Sequence, residues 1–339
     1  MSESILIRGG TIVTAESRFP GEVLIHGQHI EAVGVGLLTG PGDTVIDAAG
    51  CFVMPGIIDP HTHIALDTGI YQTPDDFEIG TRTAACGGVT TVIDFATQFP
   101  NESLKAAVEA RRAETEGKAC IDFALHCMVT DFPPSREREL AELAGLGVPS
   151  VKVYTTYRPN YYFDDDQLLR ILRASLEAGV LVMVHAENDA MVTAATARLV
   201  AQQEVGLAHH GDARPALAEV EAVHRSLFLA RQASAPVYVV HCSTSGAVEL
   251  IRAARAAGQL AIAETCPQYL LLNADRYVSE HPEWFIMQPP LRGPAESAGL
   301  WQHLAAGAVD TVGTDHCDYT LAQKTQTFHF TDTPGGIPG

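Results

Sequence analysis

The sequence has little positive charge, no paired cysteines and no long apolar run. Lys and Arg total 22 against 41 Asp and Glu, a formal net charge of −19. Such a surface repels phosphate backbones and anionic lipid, which argues against nucleic-acid and membrane partners. The seven cysteines, Cys51, Cys86, Cys120, Cys127, Cys242, Cys266 and Cys317, form no Cys-x-x-Cys pair. An odd, scattered set reads as free thiols, most of them small buried hydrophobes. No stretch approaches the about 20 apolar residues needed to cross a bilayer. Residues 1 to 10 lack the basic-then-apolar order of a secretion signal, so a cytoplasmic protein is expected. No Gly-x-Gly-x-x-Gly follows any strand-like run, which removes the dinucleotide fingerprint.

What is present is a chain of 339 residues, 46% hydrophobic, long enough for one barrel-sized domain and a small appendage. Residues 1–52 read as short strands, Ile5–Ile7, Thr11–Val13, Val23–Ile25 and Ile30–Val33, separated by glycine-containing turns. From residue 53 to 339 strands alternate with helices. Apolar runs at 56–61, 89–95, 121–128, 149–155, 180–185, 236–241, 259–264 and 309–314 are the strand candidates. The clearest helix is Asp165–Ala178, with an acidic first turn and Gly179 as its stop. A second is expected to open with Pro215, and a third to cover Ser245–Ala257. Eight β-then-α units with continuously apolar strands predict a parallel sheet buried on both faces, closed as an α/β (β/α)8 TIM-like barrel.

Polar residues close these runs. His61 and His63 share one face of a strand with Asp59, since alternate residues point the same way. Two imidazoles on one short strand form half of a divalent-metal site. Lys152 stands inside Ser150-Val151-Lys152-Val153-Tyr154, where burial pushes an amine towards its neutral form. A neutral amine can add carbon dioxide, and the resulting carbamate can bridge two cations. His185, His241 and Asp315 end three later runs. Asp315 is the candidate acid/base, taking a proton from water and handing it to a leaving nitrogen. A barrel brings all these strand ends to one mouth, and the reading is a two-metal hydrolase. His126, Glu264 and His316 are either partners orienting these ligands or polar core residues.

The chain resembles the cyclic amidohydrolases, specifically the dihydropyrimidinase/D-hydantoinase family. The resemblance runs through Met54-Pro55-Gly56-Ile57-Ile58-Asp59-Pro60-His61-Thr62-His63, Asp75–Thr81, Gly87–Phe95, Glu264-Thr265-Cys266-Pro267-Gln268-Tyr269 and Pro289-Pro290-Leu291-Arg292. It implies two zinc ions bridged by N6-carboxylated Lys152, one held with His61, His63 and Asp315, the other with His185 and His241. A hydroxide between them would open a hydantoin or 5,6-dihydropyrimidine ring to an N-carbamoyl amino acid. Tyr157 would donate to the developing oxyanion, and Gln288 and Gly335 would contact the substrate. A homotetramer is implied as well. The alternatives are an allantoinase- or dihydroorotase-like ring hydrolase and a non-catalytic scaffold relative. Ala65 stands where dihydroorotases carry an arginine, and scaffold relatives lose metal ligands whereas this chain retains all six.

Two departures stand out. Gln288 replaces the serine of Ser-Pro-Pro-Leu-Arg, and Gly335 replaces the asparagine of Pro-Asn-Gly. Family members also continue beyond position 339. The expectation is therefore an incomplete barrel, lacking its last helix and the strands that would complete a small β-sandwich with the N-terminal portion. Such a fragment is expected to be unstable alone.

Overall fold

Alternating apolar residues build the first sheet: Leu6 and Ile12 of β1 (Ser4–Val13) and Val23 of β2 (Arg18–His26) are buried. The computed structural model describes residues 4–339. Its first unit ends at Ile57, and the second is Ile58–Gly339. β1 pairs antiparallel with β2, which pairs antiparallel with β3 (His29–Gly34). β4 (Thr44–Asp47) and β5 (Phe52–Val53) lie parallel to β1. The two strands expected at 5–7 and 11–13 are therefore one. The register shifts between Ile7 and Gly10, and Gly9 sits at φ 77°, so the glycines make a bulge rather than a turn. β4 and β5 were not expected from the sequence.

The second sheet has eight strands: β6 (Ile57–Thr62), β7 (Val89–Thr97), β8 (Asp122–Met128), β9 (Ser150–Tyr154), β10 (Leu181–His185), β11 (Val237–Val239), β12 (Ala261–Thr265) and β13 (Thr311–Val312). They lie in chain order, and parallel ladders join β7 through to β13. Past the strand ends, the His63 N–H donates to His316 O at 2.8 Å and the Asp315 N–H to His61 O at 2.9 Å, bringing β13 round to β6. This is the α/β TIM-like barrel the alternating pattern predicts.

Helices alternate with the strands because their caps and apolar faces agree. Asp165–Ala178 opens with a capping box between Asp164 and Gln167, buries Leu168, Ile171 and Leu172, and ends at Gly179 with φ 70°. Ala216–Ala233 begins one residue later than expected, with Pro215 as its cap, and Ser245–Ala256 is capped by Thr244. Strand side chains alternate between two clusters. Ala96, Cys127, Val153 and Val184 pack with the helical Leu168, Val223 and Ile251. Phe95, Met128, Tyr154, Met183 and Tyr238 form the other cluster, filling the barrel axis. After β13 comes a four-residue helix, Leu321–Lys324, and Ile58 and Val312 remain 60% and 39% exposed.

Among the described residues no helix is long and apolar enough to cross a membrane, and all seven cysteines are free.

Candidate metal centre

The inward parity that places Tyr154 and Met183 on the axis also aims Lys152 and His185 into the barrel. His61 ends the buried half of β6, with His63 just beyond it. His241 and Asp315 lie past β11 and β13 at φ 39° and 51°, and Tyr157 lies past β9 at φ 73°. L-residues hold this left-handed region at a cost of order 1–3 kcal/mol each, and here three of them turn side chains at the barrel mouth.

The six expected ligands converge in two groups. The ligating atoms of His61, His63 and Asp315 lie within 4.8 Å of one another, with Asp315 Oδ1 3.1 Å from His61 Nε2 and 3.3 Å from His63 Nε2. Lys152 Nζ is 2.8 Å from His61 Nε2 and 3.5 Å from His63 Nε2. In the second group His185 Nδ1 lies 3.0 Å from His241 Nε2. The His61 and His241 ring centroids, 5.5 Å apart, join the two groups.

Carboxylates set the imidazole tautomers. The His61 Nδ1–H donates to Glu264 Oε1 at 2.7 Å, which turns Nε2 towards the other ligands. The His185 Nε2–H donates to Glu187 Oε2 at 2.7 Å, leaving a lone pair on Nδ1. His61 Nε2 thereby faces Asp315 and Lys152, and His185 Nδ1 faces His241. His63 Nδ1 and His241 Nδ1 are buried without a hydrogen-bond partner among the described residues. Burial holds the imidazoles of His63 (about 4), His185 and His241 below their usual range, with the Lys152 charge adding to it at His63. Burial likewise lowers Lys152, which is 1% exposed. At His61 burial works downward, but the Glu264 and Asp315 carboxylates outweigh it and raise the imidazole above its usual range; its charge in turn outweighs burial at Asp315 and holds that carboxyl well below its own usual range. Imidazoles, a buried amine and an ionised carboxylate converging in a dry site fit a divalent ion that takes N and O ligands.

Tyr157 stands 5.1 Å from His185 between ring centroids, and the Arg214 guanidinium lies 5.0 Å from its ring. Burial raises its phenol far above the usual value, so the O–H is retained as a donor. Gln288 and Gly335 meet each other, 1.8 Å separating Gln288 Oε1 from a β-carbon built on Gly335. The segment after Gly335 runs beside the strand end that carries Asp315, through the bridge of Ile337 to His316. Ala65, Leu66, Asp67, Thr97 and Phe99 line a cavity of about 280 Å³ that reaches Phe95, whose ring stacks 4.8 Å from His63. A larger cleft of about 670 Å³ between Ala216–Ala233 and Ser245–Ala256 contains none of the six.

Asp59, on the same strand face as the two histidines, turns to Thr314 instead, accepting from its N–H at 3.0 Å and its hydroxyl at 2.6 Å. His126 Nε2 donates to Pro60 O at 3.0 Å, and His316 Nδ1 accepts from the Gly339 N–H at 3.1 Å. Sequence reasoning missed Glu187 and Arg214, a buried ion pair with Arg214 Nε 3.1 Å from Glu187 Oε1. The one local signal was a carboxylate two residues after His185.

Comparison with known proteins places the chain in a family. The Amidohydrolase family matches residues 52–330. D-phenylhydantoinase of Escherichia coli (strain HS) is 39% identical over 99% of this chain and 73% of its own length. The structure of dihydropyrimidinase from Brevibacillus agri superposes with a TM-score of 0.95 at 36% identity, over 99% of this chain and 74% of that one. D-hydantoinase from a Bacillus species gives 0.94 at 37%, over 98% and 74%. Amidohydrolases are metal-dependent, in keeping with the His and Asp groups gathered here. The chain belongs to the amidohydrolase family.

Proposed function

We propose that this protein hydrolyses a cyclic amide of the hydantoin or 5,6-dihydropyrimidine type, opening the ring to an N-carbamoyl amino acid. The observation that carries the proposal is the meeting of four imidazoles, the Asp315 carboxylate and the buried Lys152 amine at one barrel mouth. The relative named D-phenylhydantoinase, matched across nearly the whole chain, supports the substrate class. His61, His63 and Asp315 would hold one divalent ion and His185 and His241 a second, with Lys152 as a carbamate joining them; zinc suits this donor set. Bound there, two dications supply a more acidic water and an electrophile for the carbonyl oxygen.

The chain's own residues do the rest. Asp315, ionised at neutral pH, takes the proton as the water oxygen bonds to the ring carbonyl carbon. It returns that proton to the ring nitrogen as the C–N bond breaks, so one water is consumed and no other reactant is needed. The Tyr157 phenol, kept protonated by burial, donates to the oxygen that gains charge. Gln288 and Gly335 would contact the ring. A homotetramer in the cytoplasm is the proposed setting.

The test is metal quantitation together with turnover of hydantoin, dihydrouracil, allantoin and dihydroorotate. Two ions per chain with hydrolysis of hydantoin or dihydrouracil is the expected result. Turnover of allantoin or dihydroorotate alone would overturn the ring assignment. A chain that binds no metal and hydrolyses none of the four would support the scaffold alternative.

A further inference from the structure

We infer that Glu264 is a positioning residue that ties the two halves of the metal centre together through one carboxylate oxygen. The inference rests on reading the six converging side chains as metal ligands.

Glu264 sits on β12, fully buried. Its Oε1 accepts two hydrogen bonds, from His61 Nδ1–H at 2.7 Å and from the His241 backbone N–H at 2.9 Å. His61 belongs to the first ligand group and His241 to the second. They come from β6 and β11, which are not neighbours in the sheet. The first bond fixes which His61 nitrogen faces Asp315 and Lys152. The second holds the chain where His241 leaves its strand at φ 39°, the turn that aims its imidazole at His185. One oxygen therefore sets the direction of a ligand in each group.

The rest of the carboxylate is anchored too. Oε2 accepts from the Tyr238 hydroxyl at 2.6 Å, and that hydroxyl lies 2.6 Å from Thr311 Oγ1. Gly313 gives the arrangement room, since a β-carbon there would come within 2.8 Å of His61 Cβ and 3.1 Å of Glu264 Oε2. By contrast, Glu187 and its partner Arg214 hold a single ligand, His185.

Two variants separate position from charge. Glu264→Gln loses the charge but keeps an oxygen at the same reach, and its amide can donate to Tyr238, whose hydroxyl also accepts. Glu264→Asp keeps the charge but withdraws the oxygen by about 1.5 Å, one carbon–carbon bond. The readout is zinc stoichiometry by atomic emission and zinc affinity by competition with a chromophoric chelator, on the full chain. Unfolding midpoints of the metal-free proteins serve as the folding control.

The expected order is wild type, then Gln, then Asp, with Asp weakened about 10- to 100-fold at both sites. Gly313→Ala, which crowds the same pair, is expected to behave like Asp and replaces it if that chain does not fold. Asp binding zinc more tightly than Gln would overturn the inference in favour of simple charge neutralisation. Weakening of one ion alone would overturn the shared-oxygen tie. Two zinc ions in the expected order, without turnover of any cyclic amide, would sink the proposed function and leave the tie standing.

Discussion

The Gln288 carboxamide occupies the space that a side chain at position 335 would need, with Oε1 1.8 Å and Nε2 2.6 Å from a β-carbon built on Gly335. The two departures from the resembling family are thus a matched pair. The obstacle is the end of a flexible side chain, so the conflict is relieved by swinging Gln288 away rather than by unfolding. Gly335→Asn alone is expected to fold and to impair turnover. Combined with Gln288→Ser it should recover, with a coupling of about 1 kcal/mol in a double-mutant cycle on kcat/KM. Additive effects would mean the two positions act independently.

Lys152 is buried among imidazoles, and taking its ammonium out of water is costly. Lys152→Met keeps the length and removes the charge. Its metal-free form should unfold at the same temperature as the metal-free wild type or higher, while zinc uptake and ring hydrolysis fall to background. A large drop in the metal-free midpoint would instead make the amine a structural group.

Glu187 is fully buried, yet the Arg214 guanidinium outweighs that burial and holds its carboxyl far below the usual range. Arg214→Met strands the charge and is expected to cost about 3–5 kcal/mol in denaturant unfolding. The double change Glu187→Met with Arg214→Met should cost less than Arg214→Met alone. If it costs more, the pair is worth more than the desolvation it relieves.

His210 donates from Nε2 to Met287 O at 2.8 Å and is buried, which pushes its imidazole down to about 4 from the ordinary 6.5. Between those values the unfolded chain binds a proton that the folded chain refuses. Stability is therefore complete above pH 6.5 and declines as the pH falls towards 4, by up to about 3 kcal/mol from this group. His210→Gln, which can still donate to Met287 O, should flatten that part of the profile of unfolding midpoint against pH. An unchanged slope would assign the acid sensitivity to other groups.

The barrel was legible because its strands are apolar runs and its best helix carries both a start and a stop signal. Asp164, Gln167 and Gly179 mark the ends of Asp165–Ala178 within a few residues of chain. The first sheet was less legible. Gly9 and Gly10 look like a turn, and only pairing with β2 makes them a bulge. β4 and β5 are four and two residues long, too short for alternation to register. In the metal centre, His61 and His63 announce themselves by spacing. Glu264 could be named but its role could not be read, since His61 lies 203 positions away. Arg214 has no local pattern at all, being set by a contact 27 positions off.

The hydrogen bonds that bring β13 round to β6 are made by the backbones of His61, His63, Asp315 and His316, which include three of the proposed ligands. Zipping the first stave to the last and assembling the chemistry are accordingly one event. No intermediate with an open seam can present the His61, His63 and Asp315 trio, and an ion gripped by that trio acts as a rivet across the join. Loosening this rim to admit a bulkier substrate would draw directly on the cohesion of the whole cylinder.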